Sequence, residues 1–254
     1  MIAKTKEEIE NLRTSGRMLA EVLKEVALLV KPGVTTATLD LAAQAGIESR
    51  GCKSAFFGYT PEGAPHPYPA TLCVTVNDEV VHGIPSESRL LKEGDLVMLD
   101  LGLSYNGYFT DAAITVCVRT CDEAAKRLME ATRKALDAGI KEARAGNRIG
   151  DIGAAIEAVA KEYGYGLAED LGGHAIGKKP HEKPFIANIG PKGSGEKIVE
   201  GMVLALEPIF TEGNGKIILD SDEWTYRTED GSRSVEFEKT ILVTKDTAEI
   251  LTVL

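Results

Sequence analysis

One short stretch constrains the fold of this chain more than any other: residues 95–118, which read DLVMLDLGLSYNGYFTDAAITVCV. The dipeptide Asn106-Gly107 lies between two runs of alternating, β-branched and aromatic residues. This dipeptide is typical of the two-residue type I′ turn that joins two antiparallel strands. The stretch therefore predicts a β-hairpin whose register is set by the turn.

The register decides where two acidic side chains of the hairpin lie. If Tyr105 pairs with Tyr108, Asp100 lies opposite Ala113 and Asp111 lies opposite Gly102. Because side chains alternate with period two, Asp100 and Asp111 then share one face, roughly 7–8 Å apart at the backbone. Two neighbouring acids in an apolar setting favour a metal ion between them, since like charges repel when buried. The alternative is a solvated strand face.

Length and composition narrow the class of protein. The 254 residues carry a net charge of -10, which argues against electrostatic nucleic-acid binding and against an anionic membrane surface. No apolar run approaches the roughly 18 residues of a membrane-spanning helix, and no apolar segment follows the first lysines. No linker divides the chain. We therefore expect one domain over residues 1–254, located in the cytoplasm.

The four cysteines are not spaced like a zinc site. Cys52, Cys73, Cys117 and Cys121 include no C-x-x-C pair and stand mostly in apolar, strand-like context. They are expected to be reduced thiols in the core.

Helices are predicted in pairs. Thr5 and Glu8 form a capping box before a long amphipathic pattern that stops at Lys31-Pro32-Gly33, and a second helix runs from Thr36 to near Gly51. Two more are expected over residues 122–143 and 149–163. Residues 56–69 read FFGYTPEGAPHPYP and predict a loop. The strand-like segments are ATLCVTVN, EVVHGIP, the hairpin, MVLALEPIF, KIILD and FEKTILVT.

The order of two helices followed by strands occurs twice. Residues 31–43 align with residues 144–156, and KEGDLVMLD at 92–100 aligns with VEGMVLALE at 199–207. Asp100 and Glu207 both stand six residues after a glycine. This pattern predicts an internal duplication in which each half presents a carboxylate to a common centre. The fold class is α+β, with an antiparallel sheet and helices packed on one side.

Further acids and histidines add to this centre. Glu207 ends an apolar strand before a proline, Glu238 stands in EFEKTILVT, and His174 follows a Gly-Gly pair. With Asp100 and Asp111 they form a set of four carboxylates and one imidazole. Such ligands suit two divalent ions that share bridging carboxylates, with manganese, iron or cobalt ahead of zinc because no thiolate takes part.

The sequence resembles the methionine aminopeptidases over nearly its whole length. The motifs that carry the resemblance are EEIENLRTSGRML, KPGVTT, VNDEVVHGIP, DLVMLDLG with YFTDAA, GGHAIG with HEKP, GMVLALEP and FEKTILVT. The resemblance implies a pita-bread fold, with pseudo-two-fold repeated halves around a dinuclear metal site. Without an N-terminal extension, the chain looks like the short bacterial type I form.

The resemblance also assigns roles. Asp100, Asp111, His174, Glu207 and Glu238 fall on the five metal ligands of the family, with Asp111 and Glu238 bridging both ions. A metal-bridging hydroxide would attack the carbonyl after the first residue, with Glu207 as general base. His181 would stabilise the oxyanion, and His82 would hydrogen-bond near the scissile amide.

Substrate and partners follow from the same resemblance. Tyr68, Cys73 and Trp224 would wall the pocket for the methionine side chain of peptides and nascent chains at the ribosome, with a small second residue preferred. A monomer is expected. The chain departs from the family pattern at Ala175, at Pro180 and in the long loop before His66, whose role is open.

Two rival functions are weighed against this one. Proline-specific aminopeptidases and dipeptidases share the five ligands, but they normally carry an N-terminal domain and fit HGIP poorly. A catalytically inactive binding protein on the same fold would have lost ligands, and all five residues are present.

Overall fold

The computed structural model describes residues 1–61 and 63–253, so that Glu62, inside the expected loop, and Leu254 lie outside the described residues. The helices are α1 (Lys6–Ala27), α2 (Thr36–Ser49), α3 (Glu123–Glu142) and α4 (Ile149–Tyr163). The strands are β1 (Lys53–Ser54), β2 (Leu72–Val76), β3 (Glu79–Val81), β4 (Leu96–Tyr105), β5 (Tyr108–Cys117), β6 (Gly166–Leu167), β7 (Gly172–Ala175), β8 (Glu182–Ala187), β9 (Val203–Leu206), β10 (Ile209–Thr211), β11 (Ile217–Leu219), β12 (Tyr226–Thr228), β13 (Ser234–Glu236), β14 (Lys239–Val243) and β15 (Ala248–Ile250).

The helices begin where the caps predict. The Thr5 side chain accepts a hydrogen bond from the backbone of Glu8, whose carboxylate returns one to the backbone of Thr5, so the capping box of α1 is present. α1 ends at Ala27, several residues before the Lys31-Pro32-Gly33 stop, because residues 28–33 form turns instead. The expected helix over residues 149–163 is confirmed at both ends.

Two larger sheets form the centre, and every strand pairing in the described part of the chain is antiparallel. In the first sheet, β2 and β5 flank β4, and β1 pairs with Leu103 and Ser104 near the end of β4. The second sheet runs in the order β15-β14-β9-β7-β8. The expected strand MVLALEPIF is split, since β9 ends at Leu206 and β10 begins after Pro208 in a separate small sheet. The α+β class is confirmed.

The hairpin has the predicted register. Tyr105 pairs with Tyr108 and Asp100 with Ala113, so that Asp111 stands opposite Gly102. Asn106 and Gly107 take φ angles of 50° and 77°, which are the left-handed values that a type I′ turn requires.

The two halves make equivalent contacts, as the internal alignment predicts. Thr35 bridges to Leu90, and Arg148, its partner in the alignment, bridges to Lys197. The backbone N–H of Gly33 donates to Leu91 at 2.8 Å, and that of Gly146 donates to Ile198 at 3.0 Å. Helices α1 and α2 pack on the first sheet, whereas α3 and α4 pack on the second half.

A seam joins the halves where β5 meets residues 236–240. The Thr240 hydroxyl accepts from the backbone N–H of Asp111 at 2.8 Å and donates to its carbonyl at 2.7 Å. In the reverse direction, the Thr115 hydroxyl accepts from the backbone N–H of Glu236 at 3.1 Å and donates to its carbonyl at 2.7 Å. All four residues are buried. The seam therefore relates Asp111 to Glu236 and Thr115 to Thr240.

The expectation for the cysteines was wrong for one pair. Cys117 and Cys121 form a disulfide, whereas Cys52 and Cys73 are free and buried. Cys117 ends β5, and the turn that follows, with Arg119 at a φ of 62°, brings the two Cα atoms to 5.9 Å. This separation is within disulfide range, although the C-x-x-x-C spacing gave no signal.

No helix in residues 1–61 and 63–253 combines the length and apolar character needed to cross a membrane.

Candidate metal centre and substrate pocket

A cavity of about 240 Å³ is lined by every residue to which the sequence gave a metal-binding, catalytic or substrate-pocket role. Two seam residues, Asp111 and Glu236, are among its lining residues. Its lining residues are Phe56, Tyr59, Pro61, Tyr68, Cys73, Val81, His82, Asp100, Asp111, His174, His181, Glu207, Trp224, Glu236 and Glu238. Acids and histidines from both halves therefore face one enclosed space.

The hairpin supplies the two acids of the first half. Asp111 is 3% exposed, and one of its carboxylate oxygens accepts a hydrogen bond from the backbone N–H of Ala112 at 3.0 Å. Asp100 Oδ1 is buried and has no hydrogen-bond partner in the described part of the chain. Burial, followed by the charge of Asp111, raises the pKa of Asp100 well above its usual value.

The second half supplies Glu207 and Glu238 from the ends of strands. Glu207 follows β9, where Pro208 ends the ladder, and its carbonyl accepts from the Asn188 side chain at 2.9 Å. Glu238 lies between β13 and β14, and its backbone N–H donates to the carbonyl of Ala113 at 2.9 Å. Glu238 Oε1 is buried without a partner among residues 1–61 and 63–253.

His174 stands on β7 with one ring nitrogen already engaged. Its Nδ1 lies 3.0 Å from the carbonyl of Ala175, so Nδ1–H donates there and Nε2 is left unprotonated. Nε2 faces Glu207 Oε1 at 3.6 Å. Burial, with a smaller contribution from His181, lowers the pKa of His174 to about 3. The imidazole is therefore neutral and offers a lone pair to the cavity.

The donor set fits divalent cations. Ligand atoms of Asp111, His174 and Glu238 all lie within 4.8 Å of one another. Burial raises the pKa of Asp111 to about 7 and raises those of Glu207 and Glu238 well above their usual values. Carboxylates packed this closely do not ionise together without positive charge between them. Together with the two buried oxygens that lack partners, this favours metal ions over a solvated strand face.

Two further histidines flank the acids. His82 follows β3 at a φ of 59°, an unusual conformation for a non-glycine residue. Burial lowers the pKa of His82 to about 4, so the ring is neutral near pH 7. The His181 ring packs edge-on against that of His174, with centroids 4.4 Å apart.

The expected pocket residues surround the apolar side of the cavity. The rings of Tyr68 and Trp224 meet edge to face with centroids 5.1 Å apart, and Cys73 is buried beside them. The Tyr68 hydroxyl donates to the carbonyl of Gly83 at 2.8 Å, and the residue lines the cavity. Each of these residues has an exposed fraction of 7% or less.

The departures from the family pattern lie at the edge of the site. Ala175 is buried and pairs with Leu204, so its methyl group is accommodated. Pro180 is buried but does not line the cavity. His66 accepts a hydrogen bond from the Trp224 indole, which gives it a contact to the pocket.

Sequence reasoning missed one acid of the site, Glu236. Its side chain is 3% exposed and lines the cavity, and burial, followed by the charge of Asp111, raises its pKa to about 8. The signal was present, because Glu236 and Glu238 are two residues apart in a strand-like segment and alternation puts them on one side. The cavity-lining residues Phe56, Tyr59, Pro61 and Val81 were also missed.

Comparison with known proteins agrees with this geometry. The model of metallopeptidase family M24 matches residues 10–245. The chain is 43% identical to a methionine aminopeptidase of Aquifex aeolicus over 249 residues, which are 96% of each chain. It is 40% identical over 251 residues to methionine aminopeptidase 1 of Mycobacterium tuberculosis, with 96% of this chain and 92% of the relative covered.

Solved structures agree as well. The crystal structure of methionine aminopeptidase from Thermotoga maritima superposes with a TM-score of 0.95 at 39% identity, over 100% of both chains. A prolidase from Pyrococcus furiosus has a TM-score of 0.74 at 24% identity and covers 100% of this chain but 66% of its own. The second likeness shows a shared fold only.

Proposed function

Because the chain belongs to metallopeptidase family M24 and, within it, to the methionine aminopeptidases, we propose that it removes the N-terminal methionine from peptides and nascent proteins and prefers a small second residue. The enzyme is a hydrolase with the pita-bread fold that it shares with its relatives. The observation that carries the proposal is one cavity with acids and a neutral imidazole on its floor and an apolar, aromatic wall beside them.

Two divalent ions are the proposed cofactors. Asp100, Asp111, His174, Glu207 and Glu238 would hold them, and the buried oxygens without partners and the short separations between donors support this assignment. Cobalt, manganese or iron would suit the oxygen-rich set, with zinc as a further candidate. When bound, such ions would supply Lewis acidity, which makes water more nucleophilic and a carbonyl more electrophilic at neutral pH.

Glu207 is the proposed general base. Its burial, followed by the charge of Glu236, raises the pKa of its carboxyl well above the usual value, and a raised pKa makes a carboxylate a stronger proton acceptor. The hydrogen bond from Asn188 to the Glu207 carbonyl holds the backbone from which this carboxyl projects. Glu207 would then pass the proton to the leaving amine.

His82 and His181 would act on the scissile amide. Both rings line the cavity, and the lowered pKa of His82 leaves it neutral, with one N–H to donate. We assign the bond near the scissile amide to His82 and the oxyanion contact to His181. Tyr68, Cys73 and Trp224 would enclose the methionine side chain, whose flexible thioether packs well against aromatic rings.

Partners and location are proposed on the same basis. The substrates would be methionyl peptides and nascent chains at the ribosome, and the protein would act as a cytoplasmic monomer without direct nucleic-acid or membrane contact. The net charge of -10 supports the last point.

Peptide hydrolysis tests the proposal. We expect Met-Ala-Ser to be cleaved fastest, Met-Leu-Ser about ten-fold or more slowly, and Ala-Pro-Ser slowest in kcat/KM. Chelation should remove activity, and added Co²⁺, Mn²⁺ or Fe²⁺ should restore it. N-acetyl-Met-Ala-Ser is the matched control and should resist cleavage, because its amine is blocked. Preferred cleavage of Ala-Pro-Ser would instead indicate a proline-specific peptidase.

A further inference from the structure

The loop of residues 56–61 and 63–69, hereafter the proline loop, lines one side of the cavity, and Tyr68 is its one residue with a role in the proposed function. Its base is closed by two backbone hydrogen bonds, from Gly58 N–H to the Tyr68 carbonyl and from Tyr68 N–H to the Tyr59 carbonyl, both 2.9 Å. Its tip contains Pro61, Pro65 and Pro67, each of which fixes a φ angle. The proline loop is thus restrained without belonging to a sheet.

One side chain of the proline loop holds the pocket wall. The Trp224 indole N–H lies 2.9 Å from His66 Nδ1. An indole nitrogen only donates, so this bond requires an unprotonated Nδ1, whereas a protonated Nδ1 would instead donate to the Pro67 carbonyl at 3.2 Å. Trp224 is 7% exposed, whereas the His66 side chain that contacts its N–H is 42% exposed, so removing His66 would take away this acceptor and open the indole to solvent.

A second side chain holds a histidine of the site. The Tyr59 hydroxyl lies 3.1 Å from His181 Nδ1, and the two rings pack with centroids 5.3 Å apart. If the hydroxyl donates to Nδ1, the neutral ring carries its proton on Nε2. That tautomer provides the N–H donor that an oxyanion requires.

We propose that the proline loop is a positioning element of the active site, in which His66 fixes the Trp224 wall of the methionine pocket and Tyr59 fixes the tautomer of His181. Both hydrogen bonds connect the first half of the chain to the second, across 158 and 122 residues of sequence. This inference rests on the proposed function, because it assigns the two contacts to substrate selection and to catalysis.

The two contacts are expected to affect different kinetic constants. Loss of the His66 contact should loosen the methionine pocket and raise KM for Met-Ala-Ser about five-fold, the effect of one neutral hydrogen bond, with kcat little changed. Loss of the Tyr59 hydroxyl should lower kcat by about five-fold or more with KM little changed, because the oxyanion forms only in the transition state.

Trp224 is the only tryptophan of the chain, so its fluorescence tests the first contact without any activity measurement. We expect His66→Leu to raise acrylamide quenching of the emission. His66→Asn should restore the wild-type value, because the Asn side-chain oxygen can accept from the indole. Tyr59→Phe is the matched control from the same loop and should leave the quenching unchanged. Equal quenching in wild type, His66→Leu and His66→Asn would overturn the role of His66.

Kinetics of the same variants then test both roles. A rise in KM with His66→Leu, its rescue by His66→Asn and a fall in kcat with Tyr59→Phe would support the proposal. An equal fall in kcat with all three variants would mean that the loop is merely structural and would overturn it. If wild-type protein cleaves no methionyl peptide, the proposed function fails, whereas the quenching result still decides whether His66 holds Trp224.

Discussion

The two halves of the molecule place acids on equivalent backbone in different ways. In the first half, Asp100 lies opposite Ala113, and Asp111 is the diagonal acid. In the second half, Leu206 pairs with Lys239, so continuing the register places Glu207 beside Glu238. The seam relates Asp111 to Glu236 and Ala113 to the position of Glu238. At these two positions the first half has one acid, Asp111, whereas the second half has two, Glu236 and Glu238.

This difference indicates that symmetry fixes the backbone and not the chemistry. Two divalent ions carry four positive charges and would neutralise Asp100, Asp111, Glu207 and Glu238. Glu236 then remains as a fifth carboxylate, buried in the same cavity. The other four acids are proposed to bind metal, whereas Glu236 occupies the position equivalent to Asp111 without being a proposed ligand. Substitutions can test both statements.

The largest expected effect is at Glu207, the counterpart of Asp100 in the repeat. Glu207→Ala should lower kcat by about 10²–10⁴-fold, because it removes the proposed general base and a ligand together, while circular dichroism stays unchanged. The measurement is hydrolysis of Met-Ala-Ser by metal-loaded protein. Full turnover by this variant would refute the assigned mechanism.

Glu238 and Glu236 form a matched pair for metal binding. Glu238→Gln should weaken binding of Mn²⁺ or Co²⁺ by about ten-fold or more in calorimetry, because a neutral amide replaces the carboxylate proposed to bridge the ions. Glu236→Gln should bind with wild-type stoichiometry. Loss of a metal equivalent with Glu236→Gln would show that Glu236 binds metal as Glu238 is proposed to do.

The raised pKa of Glu236 predicts a pH-dependent cost in the metal-free protein. Because its pKa rises from 4.5 to about 8 on folding, the folded state favours the protonated form, and stability falls as pH rises through that interval. Glu236→Gln should therefore unfold like wild type near pH 4.5 but be more stable at pH 8, by on the order of 4 kcal/mol. Urea titrations of chelated protein at both pH values measure this. A constant difference would contradict it.

The smallest expected effect is at the seam. Thr240→Val and Thr115→Val each remove a buried hydroxyl that both donates and accepts across the halves, at a cost of about 1–2 kcal/mol. Reciprocal geometry predicts similar losses in the two variants, measured by urea unfolding. A loss confined to one of them would show that the halves share backbone positions but not energetics. Thr244→Val is the control, because the Thr244 hydroxyl hydrogen-bonds to Thr247 in the same half and not across the seam.

Local rules were sufficient for the elements that lie near each other in sequence. The capping box at Thr5 and the Asn106-Gly107 turn gave the start of α1 and the hairpin register, because each depends on a few adjacent residues. The duplication added the pairing of the halves, since aligned segments make equivalent contacts. The five expected ligand residues all face the cavity: Asp100, Asp111 and His174 lie in strands, and Glu207 and Glu238 lie directly beside strand ends.

Other features depend on contacts that no local pattern encodes. The split after Leu206 arises because Pro208 cannot donate to the ladder, although the apolar run continues through it. The Cys117–Cys121 bond depends on a turn, and the Tyr59 and His66 contacts span more than 100 residues. Long-range side-chain contacts of this kind appear only once the fold is known.

The seam has a consequence for a single copy of the repeat. Asp111 and Thr115 of one half meet Glu236 and Thr240 of the other, and these are the same structural positions. One repeat alone would therefore expose a self-complementary edge, and two identical copies could close on it as an isologous dimer. In such an ancestor, the floor of the cavity would lie on the two-fold axis and any acid there would occur twice. Within one chain the two equivalent positions can carry different residues, as Ala113 and Glu238 show.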